Sequence, residues 1–162
     1  MNKRIVIGCL VLLAFLALAA LVFLVLPSNR PYEFEQSVDQ IKSIEIAIKE
    51  YDYDRCDAPM EVVMTVDPTD HANLIEEILK IPGGRIVPPG TGFGSHIIVI
   101  TYKDGMKEFL GNYNNGYMTA DGKVYSDAYA FNTEGFFGLL SLYLGEEVTE
   151  PVGFDPTASK GR

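Results

Sequence analysis

The pattern of apolar and polar positions divides the chain into one long apolar run and a longer part of mixed composition. Residues 5–26 are apolar or small throughout, with no charge and no proline. At about 1.5 Å per residue, a helix of this length crosses a hydrocarbon core of about 30 Å. The run predicts a transmembrane signal anchor, with residues 1–27 forming the cytoplasmic N-terminus and the span.

A cleaved secretory signal is the alternative interpretation of this run. Lys3 and Arg4 suit its basic n-region, and the segment 17–19 has the small residues of a cleavage site. The run nevertheless continues for seven residues beyond Ala19, whereas the apolar region of a signal is normally about 7–15 residues long. We therefore favour the uncleaved anchor. Because basic residues near a span tend to stay in the cytoplasm, the C-terminal domain is predicted to be extracytoplasmic.

The first half of the remaining chain predicts a stalk, a hairpin and a helix. Residues 28–40 are polar and are interpreted as a stalk. Apolar residues alternate with others over 44–48 and again over 60–66, which predicts two strands that pair with each other. Asp67 and Pro68 mark a helix start, because aspartate can cap and proline suits the first position. Apolar residues at one-face spacing follow up to Leu79.

The second half predicts a meander of strands and a last helix. Residues 96–102 are apolar on both faces, which is typical of a central strand. Glycine-containing turns then frame three short strands at 106–110, 117–119 and 123–125. Asn132 or Thr133 is expected to cap a helix that ends at Leu144. The resulting fold class is α+β: an N-terminal transmembrane helix, then an antiparallel sheet with two packed helices in the order ββα, β-meander, α. The domain is assigned to residues 41–145, and residues 146–162 to a flexible acidic tail.

Five short motifs in this order resemble the small, uncharacterised extracytoplasmic α+β domains that follow anchors or lipoprotein signals in Gram-positive bacteria. The motifs are Ile44-Glu45-Ile46, Asp67-Pro68-Thr69-Asp70, Leu74-Ile75-Glu76-Glu77-Ile78-Leu79, Tyr102-Lys103-Asp104-Gly105 and Asp121-Gly122-Lys123-Val124-Tyr125. They are turn and packing signals. The resemblance covers residues 41–144, implies fold and location, and carries over no active-site residue.

Charge excludes one class of partner. Residues 27–162 contain 11 Lys and Arg against 22 Asp and Glu, which gives a net charge of −11. Such a field repels polyphosphates and anionic lipid surfaces, so nucleic acid is not expected as a partner. The bilayer itself is contacted through residues 5–26.

The acidic loop after the first strand is a candidate calcium site. Asp52, Asp54 and Asp57 alternate as oxygen ligands can, but the match to an EF-hand loop fails at the turn glycine and at the twelfth-position glutamate. A solvated hairpin loop explains these residues better. Cys56, in the same loop, is the single thiol of the domain, so an intrachain disulfide cannot form there. Catalysis by Cys56 would need a nearby base, and its neighbours are mostly acids.

No cofactor is predicted. Asp67, Asp70 and His71 are residue types that can bind a metal, but Asp67 is explained as a helix cap. Two histidines in the whole chain argue against a zinc enzyme, which usually needs three protein ligands. The glycine-rich loop 90–94 leads into a strand, whereas a phosphate-binding loop leads into a helix. Its Phe93 would be a contact residue if it is exposed.

The last helix is a candidate partner-binding element, because its residues leave almost no polar face. Such a helix is either core or an apolar surface for a partner. If it is an interface, Phe136, Phe137 and Tyr143 are the expected contacts. Glu134, Gly138, Ser141 and Gly145 form a narrow stripe of mostly small residues along the same helix.

Together these patterns favour a membrane-anchored, extracytoplasmic, non-catalytic domain that binds or regulates a cell-envelope partner. No catalytic residue is assigned, since no motif combines a nucleophile, a base and an orienting group. Two alternatives stay open. One is a cell-envelope hydrolase whose site comes from residues distant in sequence. The other is a weak calcium-responsive sensor or adhesion module that uses the acidic loop.

Overall fold

A computed structural model describes residues 31–49, 60–85, 95–113, 115–127 and 129–149 of the chain. The predicted span, most of the acidic loop around Cys56, and Phe93 lie outside these ranges. Within them, no helix has the length and apolar character needed to cross a membrane.

The described residues form an α+β fold, as the sequence predicts, with eight strands and two α-helices. The strands are β1 (Ile41–Lys49), β2 (Met60–Thr65), β3 (Gly83–Arg85), β4 (His96–Tyr102), β5 (Lys107–Leu110), β6 (Asn115–Met118), β7 (Val124–Asp127) and β8 (Tyr129–Phe131); the helices are α1 (His71–Lys80) and α2 (Thr133–Leu144). Single 3₁₀ turns at Val38–Gln40 and Pro68–Asp70 precede β1 and α1.

Six strands form one antiparallel sheet in the order β2-β1-β4-β5-β6-β7. The predicted pairing of the first two strands is confirmed, and so is the meander from β4 to β7. The strand β4 lies between β1 and β5, which confirms its predicted central place. The strands β3 and β8 pair in a separate two-stranded sheet that the sequence analysis missed.

The predicted helix caps are also present. Asp67 accepts a hydrogen bond from the Thr69 backbone N–H (2.9 Å) and so caps the turn that leads into α1. Asn132 caps α2 by accepting from the Gly135 N–H at 2.9 Å. The second helix ends where Gly145 adopts a φ of +71°, a left-handed conformation that a glycine adopts without strain.

Alternate side chains of the sheet enter two separate apolar clusters. Ile44, Ile46, Ile98 and Ile100 point to one side, where they pack with residues of both helices. On the other side Ala47, Ile97, Val99 and Phe109 form a smaller cluster to which neither described helix contributes. We call these two sides the helix face and the groove face of the sheet.

Segments outside the predicted domain boundaries join the large cluster on the helix face. Tyr32, which the sequence analysis placed in a stalk, is only 6% exposed and packs with the core, and Phe34 contacts the same cluster. Val148, placed in the tail, is buried as well, and its N–H donates to Ser141 Oγ. The core therefore extends beyond residues 41–145, because apolar side chains scattered in two polar segments find partners on the folded domain.

Candidate functional site

The groove face carries a depression with a volume of about 280 Å³. Its walls come from four strands, β1, β2, β4 and β5, and from the end of β6. Six of the lining side chains are apolar and two are charged: Ala47, Met60, Val62, Val99, Phe109, Met118, Glu45 and Lys107. Most pockets that bind ligands have this composition, an apolar lining with a few polar groups that fix orientation.

A bulge in β2 creates one wall of this groove. Ile46 pairs with Met64 while the next residue, Ala47, pairs with Val62, so Val63 is an extra residue in the strand. Because an extra residue reverses the alternation of side chains, Met64 packs on the helix face and Val62 lines the groove. The sequence analysis predicted strict alternation from Met60 to Val66 on one buried face, and that prediction is wrong for the first half of the strand.

The two charged side chains lie on different strands of the groove. Glu45 pairs with Val99 on β4, and Lys107 pairs with Thr101 on the same strand. The acidic Glu45 on β1 and the basic Lys107 on β5 therefore lie on opposite sides of β4, with apolar side chains around them. An occupant with an apolar body and polar or charged groups near its ends matches this arrangement.

A fully buried carboxylate lies on the helix face of the same sheet. Glu108 of β5 has no exposed surface and pairs with Ile100 on one side and with Tyr117 on the other. Its two carboxylate oxygens accept hydrogen bonds from two tyrosine hydroxyls, Oε1 from Tyr32 and Oε2 from Tyr102. The sequence pattern does not reveal this group, because a glutamate in an alternating strand is normally solvent-exposed.

The segment before β1 supplies further donors to these buried oxygens. The Glu35 backbone N–H donates to the Glu108 carboxylate, and the Gln36 N–H donates to Tyr102 Oη. The Tyr32 ring packs against Phe34, Tyr129 and Phe131, with centroid distances of 5.1, 5.1 and 5.2 Å. We call residues 31–36 the strap, since they lie across the sheet and bind it through these contacts.

Burial dominates the acid–base properties of this cluster. Loss of solvation raises the pKa of Glu108, although the hydrogen bonds from Tyr102, Tyr32 and the Glu35 N–H oppose the effect by favouring the carboxylate. The pKa of Tyr102 is raised by burial and by the acceptor Glu108. No lysine, arginine or histidine of the described segments forms an ion pair with Glu108.

Neither histidine belongs to the groove. His71 is buried at the start of α1, and its Nε2 has no partner among the described residues. His96 is half-buried at the start of β4, where its Nδ1 lies 2.9 Å from Ser95 Oγ and its ring meets the edge of Phe137. Burial lowers the pKa of His96, and the charge of Glu146 opposes this shift.

The candidate metal ligands Asp52, Asp54 and Asp57 lie outside the described residues, as Cys56 does. Within the described ranges, no three His, Cys, Asp or Glu side chains come together as a metal site requires. Calcium binding by the acidic loop therefore stays a prediction.

The structure places the predicted partner-binding residues of α2 mostly in the core. Phe136 has no exposed surface, Phe137 is 7% exposed, and Tyr143 is half-buried against the same cluster. The helix turns Phe136 and Phe137 onto the sheet, which leaves these two side chains little surface for a partner. Leu142, which the sequence analysis did not single out, is the exposed apolar residue of this helix. Among the described residues, a side chain added at Gly138 would meet no atom within 4 Å, so none of their backbones packs on the small-residue stripe there.

Comparisons with protein-family models, with curated proteins and with solved structures find no match to this chain. The structure itself defines the class of protein. It is an α+β domain with a six-stranded antiparallel sheet, two helices on one face of the sheet and an apolar groove on the other.

Proposed function

We propose that the chain is a single-pass, membrane-anchored extracytoplasmic domain that binds an apolar segment of a cell-envelope protein without catalysis. The observation that carries this proposal is the groove on the face of the sheet opposite to the helices. The apolar run at 5–26 supports the anchor, and the basic residues before it support the orientation.

The lining of the groove favours a protein segment over other occupants. Two flexible methionines, Met60 and Met118, can adapt to side chains of different shape. Glu45 and Lys107 can each pair with a polar or charged group of such a segment. The charge of −11 on residues 27–162 disfavours a nucleic acid or an anionic lipid surface as the occupant.

Photo-crosslinking in cells tests the groove directly. A photoreactive phenylalanine analogue at Val62 or at Met118 is expected to give one discrete adduct with a membrane or envelope protein. The same analogue at Leu142, exposed on the helix side of the domain, serves as the matched control. Adducts of equal yield from Leu142, or none from either groove position, would contradict the proposed binding site.

The proposed anchor predicts how the full chain behaves in cell fractions. The protein should stay in the membrane pellet after an alkaline carbonate wash, and its C-terminus should be cut by protease added outside the cell. A soluble mature protein that begins near Ala20 would show that the apolar run is a cleaved signal. This outcome would contradict the proposed anchor, whereas the proposed binding site in the groove would still be tested by the crosslinking.

The two alternatives use other parts of the chain. A hydrolase would need His71 or His96 together with a nucleophile in one cavity, and a calcium module would need the acidic loop. Both stay predictions.

A further inference from the structure

Glu108 connects the strap to the centre of the sheet through one buried group. The strap reaches it twice, through the hydroxyl of Tyr32 and through the backbone N–H of Glu35, while Tyr102 holds the other carboxylate oxygen. Tyr32 and Glu108 are 76 positions apart in the sequence. A further polar contact joins the strap to the turn after β4, where Gln36 Nε2 donates to Asp104 Oδ2 at 2.7 Å, and the Tyr32 and Phe34 rings add apolar packing.

The charge on Glu108 opposes this attachment. A carboxylate removed from water is disfavoured unless a cation or enough donors compensate it. The titratable and charged groups that face Glu108 are Tyr32 and Glu35 on the strap, Tyr102 on β4 and Tyr117 on β6. None of these side chains is cationic, and Glu35 carries a charge of the same sign, which further disfavours an ionised Glu108.

Undocking the strap would admit water to Glu108 and so solvate the charge. We propose that the strap is a proton-controlled latch: a proton on Glu108, which the carboxyl then donates to one of its two tyrosine hydroxyl partners, keeps residues 31–36 docked on the sheet, and loss of that proton releases them. The released state exposes Tyr102 and the aromatic rings of Tyr129 and Phe131, which pack against Tyr32 in the docked state. In the proposed topology only residues 27–30 separate the strap from the span, so the latch would set how rigidly the domain is held at the membrane. The latch does not depend on the groove or on its partner.

The direction of the pH effect follows from proton linkage. The docked state binds the proton more tightly than the undocked state, because burial raises the pKa of Glu108. Docking is therefore strongest below the ordinary glutamate pKa of about 4.3, and it weakens as the pH rises from there through the raised value. Within that interval the ratio of undocked to docked strap grows by at most about tenfold per pH unit.

Hydrogen exchange of the full chain in lipid nanodiscs, followed by mass spectrometry from pH 5 to 9, measures this ratio. After correction for the intrinsic pH dependence of exchange, protection of the Glu35 and Gln36 amides should fall as the pH rises. Peptides from α1 report unfolding of the whole domain and should keep their protection. In Glu108→Gln the pH dependence of the strap should disappear, whereas the exposed-site control Glu61→Gln should retain it.

Tyr32→Phe keeps the ring packing and removes one donor to the carboxylate, so it keeps the proposal testable if Glu108→Gln fails to fold. Loss of this donor should raise the pKa of Glu108 further and extend the pH-dependent interval upwards. The proposal is overturned if strap protection in the unmodified chain does not change with pH, or if it changes equally in Glu108→Gln. The proposal would also be overturned if α1 lost its protection from exchange in parallel with the strap. The same holds if Tyr32→Phe did not shift the pH interval over which strap protection changes.

Discussion

Replacing Phe136 with alanine is expected to lower the free energy of unfolding by about 3–5 kcal/mol, the usual range for truncating a buried phenylalanine. The side chain has no exposed surface, and its ring stacks on Phe131 with centroids 5.7 Å apart and planes 15° apart. Truncation would remove both the buried area and the stacking, and would leave a cavity between α2 and β8. Chemical denaturation of the full-length protein in mild detergent, followed by the near-ultraviolet circular dichroism of its tyrosines, measures the loss.

Leu142→Ala is the control for this prediction, on the same helix and with a side chain that is 73% exposed. Its effect on stability should stay within about 0.5 kcal/mol, as for most surface substitutions. A loss below about 1 kcal/mol for Phe136→Ala would mean that the helix is not packed as described. Phe136 would then again be a candidate partner-binding residue.

Tyr102→Phe is expected to destabilise the domain by about 1–3 kcal/mol, the range for leaving a buried polar group without its hydrogen-bond partner. The substitution keeps the ring in the core and removes one hydroxyl that donates to Glu108 Oε2 and accepts from the Gln36 N–H. The buried Glu108 carboxyl would then lose one partner, and an unsatisfied buried group costs more than its bond contributes. The same denaturation experiment at pH 5, where the proposed latch favours the docked strap, measures the effect.

Tyr125→Phe is the matched control, because it removes the same hydroxyl from a tyrosine of the same sheet that is 43% exposed. Its ring stacks on Tyr117 with centroids 4.9 Å apart, and this contact does not need the hydroxyl. Its effect should stay within about 0.5 kcal/mol. Equal effects of the two substitutions would show that the bond to Glu108 contributes nothing specific to stability.

The sequence by itself determined the order and type of most elements. Period-2 alternation predicted β1, and an apolar run predicted the central place of β4. Local chemistry predicted the helix starts at Asp67 and Asn132, because a cap needs only its own residue and the next turn. Turns with Asp-Gly are equally local, so the meander could be predicted without knowledge of the fold.

Tertiary structure decided the features that carry the proposed functions. The bulge at Val63 turns Met60 and Val62 toward the groove, and a bulge depends on the register with the neighbouring strand, which alternation along one strand does not report. Tyr32, 76 residues away from Glu108 in the sequence, meets this carboxyl only in the folded domain, so no local pattern reports the contact. A polar segment such as 31–36 gives no local signal of burial, since its two apolar rings find their partners only after the sheet and β8 have formed. Local patterns thus determined what each element is, whereas the pairing of distant segments decided which side chains are buried, which line the groove, and where a carboxylate can respond to a proton.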